Sequence, residues 1–165
     1  MVEAALELGG DALPLSAVRE ILAAGRALLG HPVELFDGIE DTLAELADRG
    51  RLVLVTKGDL LHQEMKLAAS GLGNRFSAIE IVSEKTPETF SRLFERHGAR
   101  PERCVMAGDS MRSDVLPALA AGAWAAFIPQ PGGWAHEAAA PPEDRARFAT
   151  LARLADLPGW IDGLG

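Results

Sequence analysis

Polar residues that suit phosphate chemistry stand directly after three short apolar segments of this sequence. They are Thr56, Lys57 and Gly58 after the first segment, Lys85 after the second, and Asp109 with Asp114 after the third. A hydroxyl and backbone N–H groups can hold phosphate oxygens, and an ammonium can neutralise the same phosphate. A carboxylate suits Mg²⁺, which prefers oxygen ligands and keeps several waters. Together these residues indicate a site for a phosphorylated ligand and a metal ion.

Each of these residues also has an ordinary structural interpretation. Thr56 closes an apolar segment before a loop, which is common turn chemistry, and a lysine such as Lys85 is usually solvated. Asp109 and Ser110 could simply cap the helix that follows them. The functional interpretation is favoured because these groups occur together, each at the end of an apolar segment.

The segments that must position these residues alternate between helices and strands. Four apolar runs are typical of strands in a buried parallel sheet: 52–56, 78–82, 104–107 and 124–128. The alternation implies right-handed crossovers. We therefore predict an α/β fold, a Rossmann-like parallel sheet with helices on both faces. Ligands bind at the carboxyl ends of such strands, so the polar residues should converge there.

Local signals predict where the helices begin and end. The apolar stripe over 15–29 predicts one helix. Asp37, with Glu40 three residues on, predicts the N-terminus of a second helix, and Asp59 that of a third. Thr86-Pro87 opens the next helix, with proline at its first position. After Pro129 we expect a loop over 129–142, a helix over 143–155 and a tail over 156–165.

Composition and charge exclude several classes of protein. Apolar residues make up 48% of the 165 residues and charged residues 24%, as in a folded globular domain. With 16 basic and 24 acidic side chains, general affinity for nucleic acid or anionic membrane is not expected. The longest mostly apolar stretch, 118–128, is about half of what a membrane-spanning helix needs. Cys104 is the single cysteine, which excludes an intrachain disulfide and predicts a cytoplasmic location.

The motifs resemble those of the haloacid dehalogenase (HAD) superfamily. Thr56 after an apolar strand, then Lys85, then Gly-Asp-Ser-Met-Arg-Ser-Asp from Gly108 to Asp114 is similar to motifs two, three and four. The similarity covers about residues 35–130. Residues 1–35 resemble part of a helical cap with its linker, and 36–165 a HAD-like core without its first strand.

The resemblance implies a role for each site residue. Thr56 would hydrogen-bond the transferred phosphoryl group, with Gly58 and the Lys57 amide completing a phosphate cradle. Lys85 would steady the charge of the nucleophile and the phosphate. Asp109 would bind Mg²⁺, and Asp114 would orient Lys85 or the waters of the metal. Having both aspartates favours Mg²⁺-dependent hydrolysis of a small phosphorylated metabolite over carbon–halogen cleavage.

The sequence departs from the family at motif one, a strand followed by Asp-x-Asp that supplies the nucleophile and the general acid–base. None of the ten aspartates fits it: Asp37 and Asp41 are four residues apart, and Asp11 follows two glycines. One interpretation is that Met1 is an internal methionine of a longer protein. Another is a naturally shortened phosphate- or partner-binding protein without turnover, or a chain completed by a partner. We expect this chain to be inactive alone, and either to have low stability or to self-associate through its incomplete sheet.

Overall fold

The chain is described here from a computed structural model, which covers residues 14–29, 33–131, 137 and 139–164. The chain divides into two compact units, Met1–Glu34 and Leu35–Gly165. The described part of the first unit is dominated by helix α1, Leu15–Leu29, as its apolar periodicity predicts. Leu15 and Leu22 of this helix are exposed. The assignment of residues 1–35 as part of a cap stays a prediction.

As far as residue 127, the second unit alternates strands and helices in the predicted order. Its regular elements are α2 (Ile39–Ala47), β1 (Val53–Lys57), α3 (Leu60–Ser70), β2 (Ala78–Val82), α4 (Pro87–Arg96), β3 (Val105–Gly108), α5 (Leu116–Ala120), β4 (Trp124–Phe127), β5 (Phe148–Thr150) and α6 (Leu157–Asp162). Short 3₁₀ turns precede β2, β3 and α6, and a π-helical turn, Met111–Val115, precedes α5. Within the described residues, no helix is both long and apolar enough to cross a membrane.

Every strand pairing among the described residues is parallel, which confirms the predicted α/β class. β1 pairs with β2, so that Thr56 lies opposite Ile81. β3 pairs with β4, and β4 with β5. The expectation of one sheet is wrong, because the strands form two sheets, β1-β2 and β3-β4-β5. The backbone hydrogen bonds that would join β1 to β3 are not made.

The helix starts show which local signals decide the structure. Asp59 caps α3 and accepts from the backbone N–H of His62 at 3.0 Å. Thr86 caps α4 and accepts from the N–H of Thr89 at 3.2 Å. The predicted cap at Asp37 is wrong, since α2 begins after Gly38, whose φ of 70° is the left-handed conformation that glycine adopts without strain. No side chain caps that helix.

The predicted helix over 143–155 is also wrong. This segment contains β5, in which Phe148 pairs with Ala125. A 3₁₀ turn over Leu154–Asp156 follows, and α6 then lies in the region predicted as a tail. Phe148, Leu151 and Leu154 recur every third residue, which imitates a helical stripe. The segment instead supplies the hydrogen-bonding partner for the free side of β4, and this tertiary pairing outweighs local preference.

The core is concentrated around β3 and β4. Ala125 and Ala126 of β4 are fully buried, and each lies in a different apolar cluster. Val115, in the π-helical turn, is also fully buried. Every residue of β1, by contrast, is only partly buried. The strands that carry residues 108–115 are therefore well packed.

Candidate functional site

The turn after β3 is built around the carboxylate of Asp114. Its Oδ2 accepts from the backbone N–H of Ser110 at 3.0 Å. The Ser110 hydroxyl accepts in turn from the N–H of Ser113 at 2.8 Å, so the turn is closed by two side-chain hydrogen bonds. A Cβ on Gly108 would overlap the Asp114 carboxyl group, which explains why glycine ends this strand. The close approach fixes Asp114 against the backbone.

Lys85 reaches this turn from the end of β2. Its Nζ lies 2.6 Å from Oδ1 of Asp114, and the two side chains are only 11% and 5% exposed. Both Asp114 oxygens are thus occupied, one by an ammonium and one by a backbone N–H. Of the two roles expected for Asp114, this geometry fits the orientation of Lys85. The pair brings together residues that are 29 positions apart.

Lys57, the last residue of β1, contacts the same turn through its side chain. Its Nζ lies 3.0 Å from the Ser113 hydroxyl and 2.8 Å from Oε1 of Glu137. Oε2 of Glu137 accepts from the hydroxyls of Ser110 and Ser113, both at 2.5 Å. The hydrogen bond from Lys57, followed by those from the two serines, lowers the pKa of Glu137 from 4.5 to about 2. Glu137 is therefore ionised at neutral pH.

Thr56 and Gly58 form a second small arrangement at the end of β1. The Thr56 hydroxyl donates to Oε1 of Gln63 at 3.0 Å. Gly58 has a φ of 139°, and a Cβ there would lie 2.9 Å from Nε2 of the same glutamine. The Gly58 N–H also donates to the carbonyl of Val82 at 3.3 Å, which ties this loop to the end of β2. Thr56 thus lies at the predicted edge, although its described side-chain partner is Gln63 rather than Lys85.

Asp109 is the carboxylate whose chemistry fits a magnesium ion. It is exposed at the end of β3, and no hydrogen bond or ion pair links it to the other described residues. Within the described part of the chain no three His, Cys, Asp or Glu side chains form a metal cluster. Mg²⁺ does not require one, since it is often held by one or two carboxylates together with substrate oxygens and water. The donor set at Asp109 is therefore compatible with Mg²⁺.

The comparison with known families matches the part of the chain that contains these site residues. A family model described as "Hydrolase: haloacid dehalogenase-like hydrolase" matches residues 4–122, well over half of the chain. The chain belongs to this family. The resemblance inferred from Thr56, Lys85 and the Asp109–Asp114 motif is thereby confirmed.

Relatives of this HAD-like hydrolase include named phosphatases. The N-acylneuraminate-9-phosphatase of Mus musculus is 34% identical over 93 residues, which are 53% of this chain and 38% of that protein. The glyceraldehyde 3-phosphate phosphatase of Methanothermobacter thermautotrophicus is 31% identical over 99 residues, 56% of this chain and 44% of that protein. A solved HAD-like family hydrolase from Xanthomonas campestris has a TM-score of 0.87 at 37% identity, covering 99% of this chain and 69% of that one. The chain spans less than half the length of the two phosphatases.

Sequence analysis of this HAD-like hydrolase missed two residues of the site. Glu137 lies in a part of the sequence that is rich in proline and glycine, 80 positions from Lys57, and no periodicity or motif marks it. Gln63 lies in the first turns of α3, where an exposed polar residue is ordinary. Gln63 stands four residues after the N-cap Asp59, which is one helical turn, and this spacing brings its side chain back towards the loop at Gly58. That spacing is the signal that could have indicated a role for Gln63 in the site.

Proposed function

We propose that this chain carries the phosphate-binding part of a Mg²⁺-dependent phosphohydrolase that acts on a small phosphorylated metabolite. The observation that carries the proposal is the convergence of two lysines on adjacent residues of one turn. Lys57 contacts Ser113, and Lys85 contacts Asp114. Two ammonium groups at the carboxyl ends of parallel strands suit a phosphate dianion. The relatives named as phosphatases support the same class of substrate.

Each residue of the site has a defined task in this proposal. Thr56 and the backbone N–H of Lys57 hold the phosphoryl oxygens, Gly58 shapes the loop of the phosphate cradle through its φ of 139°, and Lys85 neutralises the phosphate charge. Asp114 is a positioning residue, because its two oxygens accept hydrogen bonds from the Lys85 ammonium and the Ser110 N–H. Asp109 would hold Mg²⁺, which when bound stabilises the charge on the phosphoryl oxygens. The cytoplasmic location rests on the single cysteine and stays a prediction.

A phosphoryl transfer of this type needs a nucleophilic carboxylate that these residues do not supply. The 165-residue sequence contains no Asp-x-Asp, and covalent catalysis has no substitute for its nucleophile. We therefore propose that the chain has no turnover by itself and requires a segment carrying Asp-x-Asp.

One observation also favours the alternative function, a phosphate- or partner-binding protein without turnover. Both oxygens of Asp114 and both oxygens of Glu137 are engaged in hydrogen bonds. This leaves Asp109 as the carboxylate with free oxygens among these three.

The class of reaction is tested by the product that is released. A fusion that places an apolar strand ending in Asp-x-Asp before residue 1 is incubated with an aryl phosphate or with a 2-chloro acid, each with and without Mg²⁺. We expect Mg²⁺-dependent release of phosphate and no release of chloride. In the fusion, Asp109→Asn should shift the Mg²⁺ titration to higher concentration. Chloride release, or an unchanged titration, would contradict the assignment, and phosphate binding without turnover would favour the alternative.

A further inference from the structure

The Glu137 carboxylate occupies a set of anion-binding groups that the rest of the chain builds. We call Lys57, Ser110 and Ser113 the donor cluster. One ammonium and two hydroxyls point at one carboxylate, at 2.8, 2.5 and 2.5 Å. The Lys57 ammonium also lies 3.0 Å from the Ser113 hydroxyl, so the donors contact one another. Three such donors around one anion are also what a phosphate oxygen pair would require.

The two serines of the donor cluster are held in position independently of Glu137. Ser110 and Ser113 are each only 8% exposed. The N–H of Ser113 donates to the Ser110 hydroxyl at 2.8 Å, which holds these two residues through the turn itself. Lys57 and Glu137 are more open, with side chains 33% and 27% exposed. The two hydroxyls are therefore buried and held by the turn, whereas Lys57 and the Glu137 carboxylate are partly open to solvent.

We propose that the donor cluster is a binding site for a phosphate oxyanion and that Glu137 is its built-in competitor. The inference rests on the proposed function, because it assigns the cluster to the phosphate of the same site. A carboxylate and a phosphate repel each other and would need the same ammonium, so one excludes the other. The apparent affinity for phosphate is then reduced by the fraction of molecules whose cluster holds Glu137.

The opposite hypothesis gives Glu137 a supporting role. If its carboxylate is needed to hold Lys57 in place, removing it weakens phosphate binding. If it competes, removing it strengthens binding. The two hypotheses therefore differ in the sign of one measured change.

The experiment is titration calorimetry of inorganic phosphate with the 165-residue chain at constant ionic strength. Glu137→Gln removes the charge with little change of shape, and we expect about tenfold tighter binding. Lys57→Met should weaken binding, and adding Glu137→Gln to it should not tighten it. Glu143→Gln is the matched control, since Glu143 is an exposed residue of the same C-terminal region and its loss changes the net charge equally. That control should bind as the unmodified chain does.

A second variant covers a failure of Glu137→Gln to fold, which circular dichroism would reveal. Glu137→Asp keeps the charge but shortens its reach by one methylene, and it should bind phosphate more tightly than the unmodified chain. Equal or weaker binding by the folded variants, or no binding by any form, overturns the inference. Equal binding would still leave the proposed hydrolysis intact. The two proposals can also fail separately in the other direction. If Glu137→Gln binds phosphate more tightly but the Asp-x-Asp fusion has no turnover, the inference stands and the proposed function is wrong.

Discussion

Two aspartates five residues apart have opposite surroundings, and this difference separates their roles. Asp114 is 3% exposed and has a partner at each oxygen. Asp109 is exposed and makes no hydrogen bond to the other described residues. A buried carboxylate with all its partners organises the site around it, whereas an exposed one with free oxygens is available to a ligand.

The first prediction compares the stability of two alanine variants. Asp114→Ala leaves the Lys85 ammonium, whose side chain is 11% exposed, without its counter-charge. Breaking one partner of a buried pair costs about 3–5 kcal/mol, so we expect a loss of that size in the free energy of unfolding measured with urea. Asp109→Ala is the control and should change it by less than about 0.5 kcal/mol. Equal effects of the two substitutions would contradict the assignment of Asp114 as the positioning residue.

The second prediction concerns the pH dependence of the contact between Lys57 and Glu137. Hydrogen bonds, led by that from Lys57, lower the pKa of Glu137 from 4.5 to about 2 in the folded chain. A lowered carboxyl pKa stabilises the folded state above the unfolded value, and this contribution is lost as the pH falls through the folded value. The difference in free energy of unfolding between the unmodified chain and Glu137→Gln should be constant above pH 4.5 and should shrink towards pH 2. A difference independent of pH over this range would contradict it.

At the scale of elements, two helices begin in different ways, one with a side-chain cap and one with a glycine in the left-handed conformation. Asp59 accepts from the His62 N–H at 3.0 Å, whereas α2 begins after Gly38 and has no side-chain cap. The third prediction is that Asp59→Ala lowers the free energy of unfolding by about 1 kcal/mol. Asp37→Ala, at the position where the sequence also indicated a cap, should change it by less than about 0.5 kcal/mol. A larger loss at Asp37 would show that its side chain caps α2 in solution.

The sequence was sufficient for elements whose signals are local. The strand containing Thr56, the cap at Asp59 and the opening at Thr86-Pro87 each depend on neighbouring residues, and each was predicted correctly. That Lys85 and Asp114 meet at one edge followed from the convergence of parallel strands, whereas their direct contact was implied by the resemblance to the HAD superfamily. β5 and Glu137 depend on partners far along the chain, so their own neighbourhoods carried no signal. The predicted cap at Asp37 was wrong because the helix begins one residue later, after Gly38 in the left-handed conformation.

For the whole molecule, the separation of the strands into two sheets has the largest consequence. Among the described residues β1 pairs with β2 alone and β3 with β4 alone. Each therefore has one side whose N–H and C=O groups lack a strand partner, and such edges recruit other strands. Helix α3 also exposes apolar side chains, at Leu60, Leu61 and Met65.

The fourth prediction is that the isolated chain self-associates through these unpaired strands. Size-exclusion chromatography with light scattering should give a mass above 17.5 kDa that rises with concentration. The fusion that supplies an additional apolar strand before residue 1 should be monomeric, because that strand would pair with the open edges. A monomeric isolated chain at all concentrations would contradict this prediction.

The fifth prediction concerns turnover, which tests the site as a whole. With an aryl phosphate and Mg²⁺, the 165-residue chain should release no phosphate, because it lacks an Asp-x-Asp nucleophile. The fusion carrying that motif should release phosphate, and Lys85→Met in the fusion should lower kcat at least about 100-fold, since it removes a charge aimed at the phosphoryl group. Robust turnover by a monomeric 165-residue chain, lost on substituting Asp109, would show instead that Asp109 performs the chemistry assigned here to a separate nucleophile.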